Sequence, residues 1–132
     1  MSAETTTLEA VRHIDVPQFS DQRGDLFALE HSRPVPFTPV RTFVITKVPE
    51  GKHRAQHVVS CDQFLWMVAG ACQAVVRERA EPLSANERSF QLTARGPGLF
   101  LPEGVWLDLS NFSSDSVLLC LASAGYDAQR KR

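Results

Sequence analysis

Proline and glycine interrupt this chain so often that long helices have little room to form. The sequence contains 8 Pro and 7 Gly, including Pro-Glu-Gly at 49–51 and 102–104 and Gly-Pro-Gly at 96–98. An average helix needs about three turns, whereas an average strand needs about five residues and fits between these breaks. The spacing of the breaks therefore predicts a chain built from short strands.

Apolar runs rich in Val, Phe, Leu and Trp lie between the breaks, and these residue types favour a half-buried pleated surface. The predicted strands cover residues 26–29, 42–48, 63–68, 73–76, 88–92, 98–101, 105–109 and 117–122. Many short strands at regular spacing are typical of an antiparallel sandwich or barrel. The polar stretch 78–87 is interpreted as an exposed hairpin end. The sequence predicts one all-β domain over residues 1–132, with flexible ends at 1–13 and 128–132.

Size, charge and cysteine usage exclude several classes of function. With 132 residues the chain can bury one core, and its net charge of −1 favours neither nucleic acid nor an anionic membrane. No apolar run approaches the ~20 residues of a membrane span, and the polar N-terminus lacks the features of a signal peptide. Cys61, Cys72 and Cys120 form no CxxC pair and sit in apolar runs, which indicates free thiols. We expect a soluble, cytoplasmic protein.

Residues 41–70 contain the side chains best suited to proton transfer and anion binding. A predicted strand and a turn are followed by a cluster that includes His53, Arg54 and His57, and then by a second apolar strand. Imidazole can exchange a proton near neutral pH, and a guanidinium can bind a phosphate or a developing oxyanion. The second Pro-Glu-Gly turn precedes Trp106. In a double-stranded β-helix such turns bring strands to the same end, so we infer that both groups face one cavity that binds an anionic sugar.

Five segments of the chain carry a resemblance to a known family. They are FSDQRGDLFALE (19–30), PFTPVRTFVITKVPEG (36–51), RAQH (54–57), CDQFLWMVAG (61–70) and LPEGVWLDLSNFSSDSVLLCLASAGYD (101–127). In this order the segments resemble the nucleotide-sugar 3,4-ketoisomerases, small cupin enzymes that act on dTDP-4-keto-6-deoxyglucose. The resemblance implies a cupin-type double-stranded β-helix, or jelly-roll barrel.

The resemblance also implies a reaction. Members of the family convert dTDP-4-keto-6-deoxyglucose to a dTDP-3-keto-6-deoxyhexose by proton transfer through an enediol intermediate, in deoxysugar and aminosugar biosynthesis. Hydrogen is redistributed within one molecule, so the expected protein is an isomerase without a redox cofactor. The expected partners are a dTDP-linked keto-deoxysugar and a second copy of the chain in a homodimer.

The family's RGxHAH motif assigns the candidate catalytic residues. Arg54 takes the place of its Arg and His57 that of its first His, whereas the second His falls on Val59. One residue is missing before Gln63. The resemblance therefore makes His57 the proton-transferring base, and His53 is the other candidate imidazole.

The candidate substrate-binding residues include two arginines within or beside predicted strands. Arg41 and Arg54 are expected to bind the diphosphate or the sugar oxygens, because an unpaired buried charge is costly. The alternative is an ion pair with Glu30 or Asp62. The further binding candidates are Arg23, which would reach a neighbouring subunit's ligand, and Gln63, Trp106 and Tyr126. For these four, a turn, core or anchoring role is the alternative.

Two other functions remain open, and no metal is predicted. A nucleotide-sugar 3,5-epimerase would also begin with deprotonation beside the C4 ketone. Such an enzyme pairs its His base with an Asp and uses a Tyr acid on the opposite face, whereas the one Tyr here is Tyr126, near the end of the sequence. The third hypothesis is that the protein is a non-catalytic cupin that binds a sugar nucleotide. A cupin metal needs a His-x-His pair with a later Glu and His. Val59 breaks that pair, and His53 and His57 would diverge on a strand.

Overall fold

Two antiparallel sheets that face each other contain most of the strands. The structure, a computed structural model, describes residues 7–78 and 86–125. The five-stranded sheet has the order β1-β11-β8-β13-β6 and the four-stranded sheet has the order β10-β9-β12-β7. The elements, after a 3-10 helix at Thr7–Ala10, are β1 (Arg12–Ile14), β2 (Gln18–Asp21), β3 (Gly24–Phe27), β4 (Glu30–His31), β5 (Pro34–Val35), β6 (Arg41–Thr46), β7 (Arg54–Val58), β8 (Gln63–Ala69), β9 (Ala71–Arg77), β10 (Glu87–Thr93), β11 (Gly98–Leu101), β12 (Trp106–Ser110) and β13 (Val117–Ala122).

The main core lies between the two sheets. Strand β9 shows how the sequence builds it, because buried Cys72, Ala74 and Val76 alternate with half-buried residues. These side chains belong to one cluster with Leu65 of β8 and Leu107 of β12. Burial of apolar surface contributes about 25 cal/mol per Å² removed from water. The alternation therefore holds the sheets face to face.

A second apolar cluster covers the outer face of the five-stranded sheet. Strand β8 contributes to both clusters: Leu65 points between the sheets, whereas Phe64 and Trp66 pack with Val35 and Phe37 on the other side. The strand is therefore buried on both faces, which explains its continuous apolar sequence. Trp66 also donates its indole N–H to the carbonyl of Gly96 at 2.8 Å.

The structure confirms the all-β prediction, and each predicted strand overlaps an observed one. Strands β1, β2, β4, β5 and β7 are not among the predicted strands, because they are short or carry mainly polar side chains. Within the segment 1–13, expected to be flexible, Leu8 and Val11 lie in the core, and β1 pairs with β11. Residues 128–132 lie outside the described residues.

The predicted hairpin end joins β9 to β10. Arg77 pairs with Glu87 in register, and their side chains form an ion pair at 2.9 Å. Residues 79–85, within the predicted turn, lie outside the described part of the chain. Cys61, Cys72 and Cys120 are buried free thiols, as expected. Across residues 7–78 and 86–125, no helix has the length and apolarity needed to cross a membrane.

Candidate active site

A cavity of about 540 Å³ opens between strands β6 and β7, which form facing edges of the two sheets. On β6, the residues that point inward are half-buried, and the alternate residues are exposed. The cavity is lined from β6 by Arg41, Phe43 and Ile45, from β7 by Arg54, Ala55, His57 and Val58, and from other strands and loops by Ser60, Cys61, Gln63, Leu65, Leu107, Leu109, Cys120, Ala124 and Gly125. The wall is thus largely apolar, with a few polar groups.

His57 presents one ring nitrogen as a hydrogen-bond acceptor. Its Nδ1 lies 3.2 Å from the backbone carbonyl of Val58. A carbonyl can only accept, so Nδ1 carries the hydrogen and the neutral ring keeps Nε2 as an acceptor. An imidazole in this form can take up a proton, as a general base must.

The two arginines of the cavity differ in their surroundings. The Arg41 guanidinium lies over the Phe43 ring, 4.8 Å from its centroid, and this contact holds it at the inner wall. Arg54 is exposed at the start of β7 and forms no ion pair with a carboxylate among the described residues. Asp62, the alternative partner suggested by the sequence, instead accepts the backbone N–H of Glu103 at 2.8 Å. Both guanidiniums line the cavity with His57.

Gln63 and Cys120 also line the cavity. Gln63 lies in the wall and is only 8% exposed. Burial raises the pKa of the Cys120 thiol far above its ordinary value, with a smaller contribution from Cys72. Cys120 is therefore a neutral wall residue and cannot act as a nucleophile at neutral pH.

Strand β7, which lines the cavity, contains a β-bulge. Leu107 pairs with His57 and Asp108 pairs with Ala55, so Gln56 is an extra residue on β7. Ala55 and Gln56 both have left-handed backbone angles, with φ of 70° and 62°. The motif that this segment resembles has Gly where Ala55 stands, and glycine is the residue that adopts such angles without a steric cost.

Replacing Ala55 with glycine should therefore stabilise the fold. A left-handed conformation costs an L-residue about 1–2 kcal/mol, and the greater freedom of unfolded glycine offsets part of that gain. We expect the Ala55→Gly variant to raise the free energy of unfolding by about 0.5 kcal/mol, measured by urea denaturation. Ala74→Gly, in the regular strand β9, should instead lower it. A loss of stability in Ala55→Gly would contradict the bulge geometry.

Three of the predicted site residues do not line this cavity. His53 is bonded through Nδ1 to Asp108 Oδ1 at 2.8 Å, and Asp108 alternates with the inward-pointing Leu107 and Leu109. Trp106 lies two residues before Asp108 on the same strand, so its side chain points to the same side as that of Asp108. The Arg77 guanidinium lies 4.5 Å from the centroid of the Trp106 ring. Neither His53 nor Trp106 lines the cavity that contains His57.

The third of these residues, Arg23, lies in the hairpin formed by β2 and β3. Its exposed guanidinium pairs with Asp21 at 2.6 Å and lowers the pKa of that carboxyl. Arg23 does not line the cavity of its own chain. Tyr126 lies outside the described residues, although Ala124 and Gly125, just before it, line the cavity.

Val59, at the position of the motif's second His, belongs to the core. It is 1% exposed, and its backbone N–H and carbonyl bond to Val105 and Gly104 at 2.8 and 3.0 Å. Among the described residues, His57 is consequently the one histidine that lines the cavity. Within the same residues, no group of three or more His, Cys, Asp or Glu side chains is arranged to hold a metal ion.

The hydrogen bond between His53 and Asp108 is not predicted by the sequence, although part of its cause is visible there. Apolar Val105, Leu107 and Leu109 alternate with polar or amphipathic residues, and this alternation assigns Asp108 to the outer face. The pairing of β7 with β12 is a long-range contact, so it could not be read from local sequence.

Comparison with known proteins places this architecture in a family. Residues 9–130 match the family described as "FdtA: WxcM-like, C-terminal". The chain belongs to this family. The resemblance noted in the sequence is thereby confirmed, and the cupin-type fold agrees with it.

Similar proteins include sugar isomerases. The chain is 28% identical over 115 residues to the TDP-4-oxo-6-deoxy-alpha-D-glucose-3,4-oxoisomerase of Aneurinibacillus thermoaerophilus, covering 86% of this chain and 79% of the relative. A 3,4-ketoisomerase from Helicobacter canadensis is 29% identical, with a TM-score of 0.81 over 90% of this chain and 86% of its own. A mutant of the 3,4-ketoisomerase QdtA from Thermoanaerobacterium thermosaccharolyticum, solved with TDP-4-keto-6-deoxyglucose, is 28% identical, with a TM-score of 0.79 over 90% and 83% of the two chains.

Proposed function

We propose that this FdtA-like protein is a sugar 3,4-ketoisomerase that converts dTDP-4-keto-6-deoxyglucose to a dTDP-3-keto-6-deoxyhexose. One observation carries the proposal: His57, with Nε2 available as an acceptor, lines the same cavity as Arg41 and Arg54. A base and two cations in one largely apolar cavity suit an anionic substrate with an acidic C–H bond. The names of the similar proteins support the choice of substrate.

The first chemical step uses the acidity of the C3 proton beside the C4 ketone. His57 Nε2 takes this proton, and the electrons of the broken C–H bond form the C3=C4 bond of an enediolate. Negative charge then develops on the C4 oxygen. A guanidinium bound to that oxygen stabilises the charge most strongly where water is excluded. Arg41, held over Phe43 at the inner wall, is the cation assigned to this role.

The second step completes the isomerisation without any redox partner. The C3 hydroxyl proton moves to the C4 oxygen, C4 takes up a proton, and the C3 oxygen becomes the new ketone. The protonated His57 is the donor in reach of the sugar within the described part of the cavity. Electrons are redistributed inside one molecule, so the reaction needs no oxidant or reductant.

Proton NMR in heavy water with dTDP-4-keto-6-deoxyglucose tests this proposal. The expected result is migration of the ketone from C4 to C3, with solvent deuterium entering at these carbons. Exchange at C5 with inversion would instead identify a 3,5-epimerase. Tight binding without exchange at any carbon would identify a non-catalytic sugar-nucleotide-binding protein. Either of the last two results would contradict the proposal.

We also propose a cytoplasmic homodimer. The buried free thiols fit a reducing compartment. Strand β6 ends its sheet, and large apolar side chains are exposed on and near this strand and on the β2–β3 hairpin, namely Val40, Val44, Phe19 and Leu26. An exposed edge strand with apolar side chains is a template for pairing with another chain.

Substituting Val44 with lysine should weaken such a dimer, because a charge on an edge strand opposes pairing. We expect analytical ultracentrifugation to give a dimer mass for the wild-type protein and a monomer for Val44→Lys at the same micromolar concentration. Val68→Lys, another exposed valine, but on the interior strand β8, is the matched control and should remain dimeric. A monomeric wild-type protein would refute the dimer.

A further inference from the structure

A second, smaller pocket continues the cleft between β6 and β7. Its volume is about 300 Å³, and it shares Ile45 and Arg54 with the larger cavity. Its remaining lining is the end of β6 and the turn that leads to β7: Val44, Thr46, Lys47, Val48, Pro49, Lys52 and His53. The two pockets therefore meet at Arg54, with His57 on one side and the turn on the other.

The second pocket is rich in positive charge. Lys47, Lys52 and Arg54 all line it, and none of the described residues in its wall is Asp or Glu. None of these three cations forms an ion pair or a side-chain hydrogen bond within the described ranges 7–78 and 86–125. The nearby carboxylate of Asp108 is bonded to His53. The cations thus remain available to an anion.

A defined backbone turn lies between Lys47 and Arg54 and contains Lys52. The N–H of Lys52 donates to the carbonyl of Pro49 at 3.0 Å, and Gly51 supplies the left-handed φ of 81° that this turn needs. Val48, which is 9% exposed, anchors the turn to the body of the protein. Because the backbone of this segment is already defined, binding of an anion does not have to order the turn itself.

We propose that Lys47 and Lys52, together with Arg54, form the subsite for the diphosphate of the nucleotide sugar. This inference rests on the proposed function, because it takes the sugar to lie beside His57. The shared Arg54 places the diphosphate next to the sugar cavity, and the two lysines extend the positive wall away from it. Diphosphate oxygens accept hydrogen bonds from ammonium and guanidinium groups, and such charge-assisted bonds are stronger than neutral ones.

Isothermal titration calorimetry with three probes tests the subsite: dTDP, thymidine and inorganic pyrophosphate. We expect Lys47→Met and Lys52→Met each to raise the Kd for dTDP by about fivefold, the size of a favourable exposed charge pair. The double variant should show a larger loss for dTDP and for pyrophosphate, and an unchanged affinity for thymidine. Its affinity for dTDP should also depend less steeply on salt concentration than that of the wild type.

Arg95→Met is the matched control, since Arg95 is an exposed cation outside both pockets. It should leave the Kd for dTDP unchanged. An unchanged Kd for dTDP in the double lysine variant would overturn the subsite, as would an equal loss for thymidine and dTDP. These results are independent of turnover. A wild-type protein that fails to isomerise the sugar, yet loses dTDP affinity with the lysines, would refute the proposed function and leave the subsite standing.

Discussion

The His57→Asn variant is expected to lose at least about 100-fold in the rate of isomerisation, the usual contribution of a general base. Asparagine retains polarity and similar size but cannot take up a proton at neutral pH. His57 is the one described histidine in the cavity, and its Nδ1–H···O=C contact with Val58 leaves Nε2 for the substrate. Proton NMR of the sugar resonances over time gives the rate directly.

Two further histidine variants make this test specific. His31→Asn removes an exposed imidazole outside both pockets and should keep the wild-type rate. The affinity of His57→Asn for dTDP should also be retained, since the loss concerns chemistry and not phosphate binding. If His53→Asn removed the activity while His57→Asn kept it, the base would have to be reassigned to the imidazole held by Asp108.

Gly98→Ala is expected to lower the free energy of unfolding by about 2–3 kcal/mol, at the upper end of overpacking costs. Gly98 is buried in β11, and a methyl group there would overlap the ring of Phe64, with Cε1 only 3.0 Å away. Phe64 is 0% exposed and is packed in the second apolar cluster, so its ring has little space into which to move. Urea denaturation followed by tryptophan fluorescence measures the change.

A second substitution separates overpacking from other effects of alanine. Phe64→Leu should partly restore stability in the Gly98→Ala background, because it removes the ring that the methyl group meets. Gly125→Ala is the control, since no atom lies within 4 Å of its added Cβ and its φ is ordinary. We expect a change below about 0.5 kcal/mol there. Equal losses at Gly98 and Gly125 would contradict the packing described.

The strands with strong apolar patterns could be predicted from the sequence, and those with polar sequences could not. Strand β8 is predictable because both of its faces are buried and its sequence is continuously apolar. Strand β7 has a mainly polar sequence without an apolar alternation. Four of its five residues are exposed, and Gln56 is the extra residue of a β-bulge. Its strand conformation comes from pairing with β12, which is about 50 residues away in the chain.

The site was only partly predictable for a related reason. Local sequence identified Arg41, Arg54 and His57, which line the cavity, but it did not show that Trp106 and His53 lie outside it. The alternation along β12 contained that information for Trp106, because Leu107 and Leu109 mark the inward positions. The position of His53 depends on its bond to Asp108 across two strands, which requires the register of the folded sheet.

A crystal structure of the His57→Asn variant with dTDP-4-keto-6-deoxyglucose would test the role of His57 most directly. We expect the hexose in the cavity between β6 and β7, with its C3 facing residue 57. After superposition on the native protein, C3 should lie about 3–3.5 Å from the position of the native His57 Nε2, as proton transfer requires. The hexose bound outside this cavity, or with C5 in place of C3 facing residue 57, would contradict the assignment of His57 as the base of a 3,4-ketoisomerase.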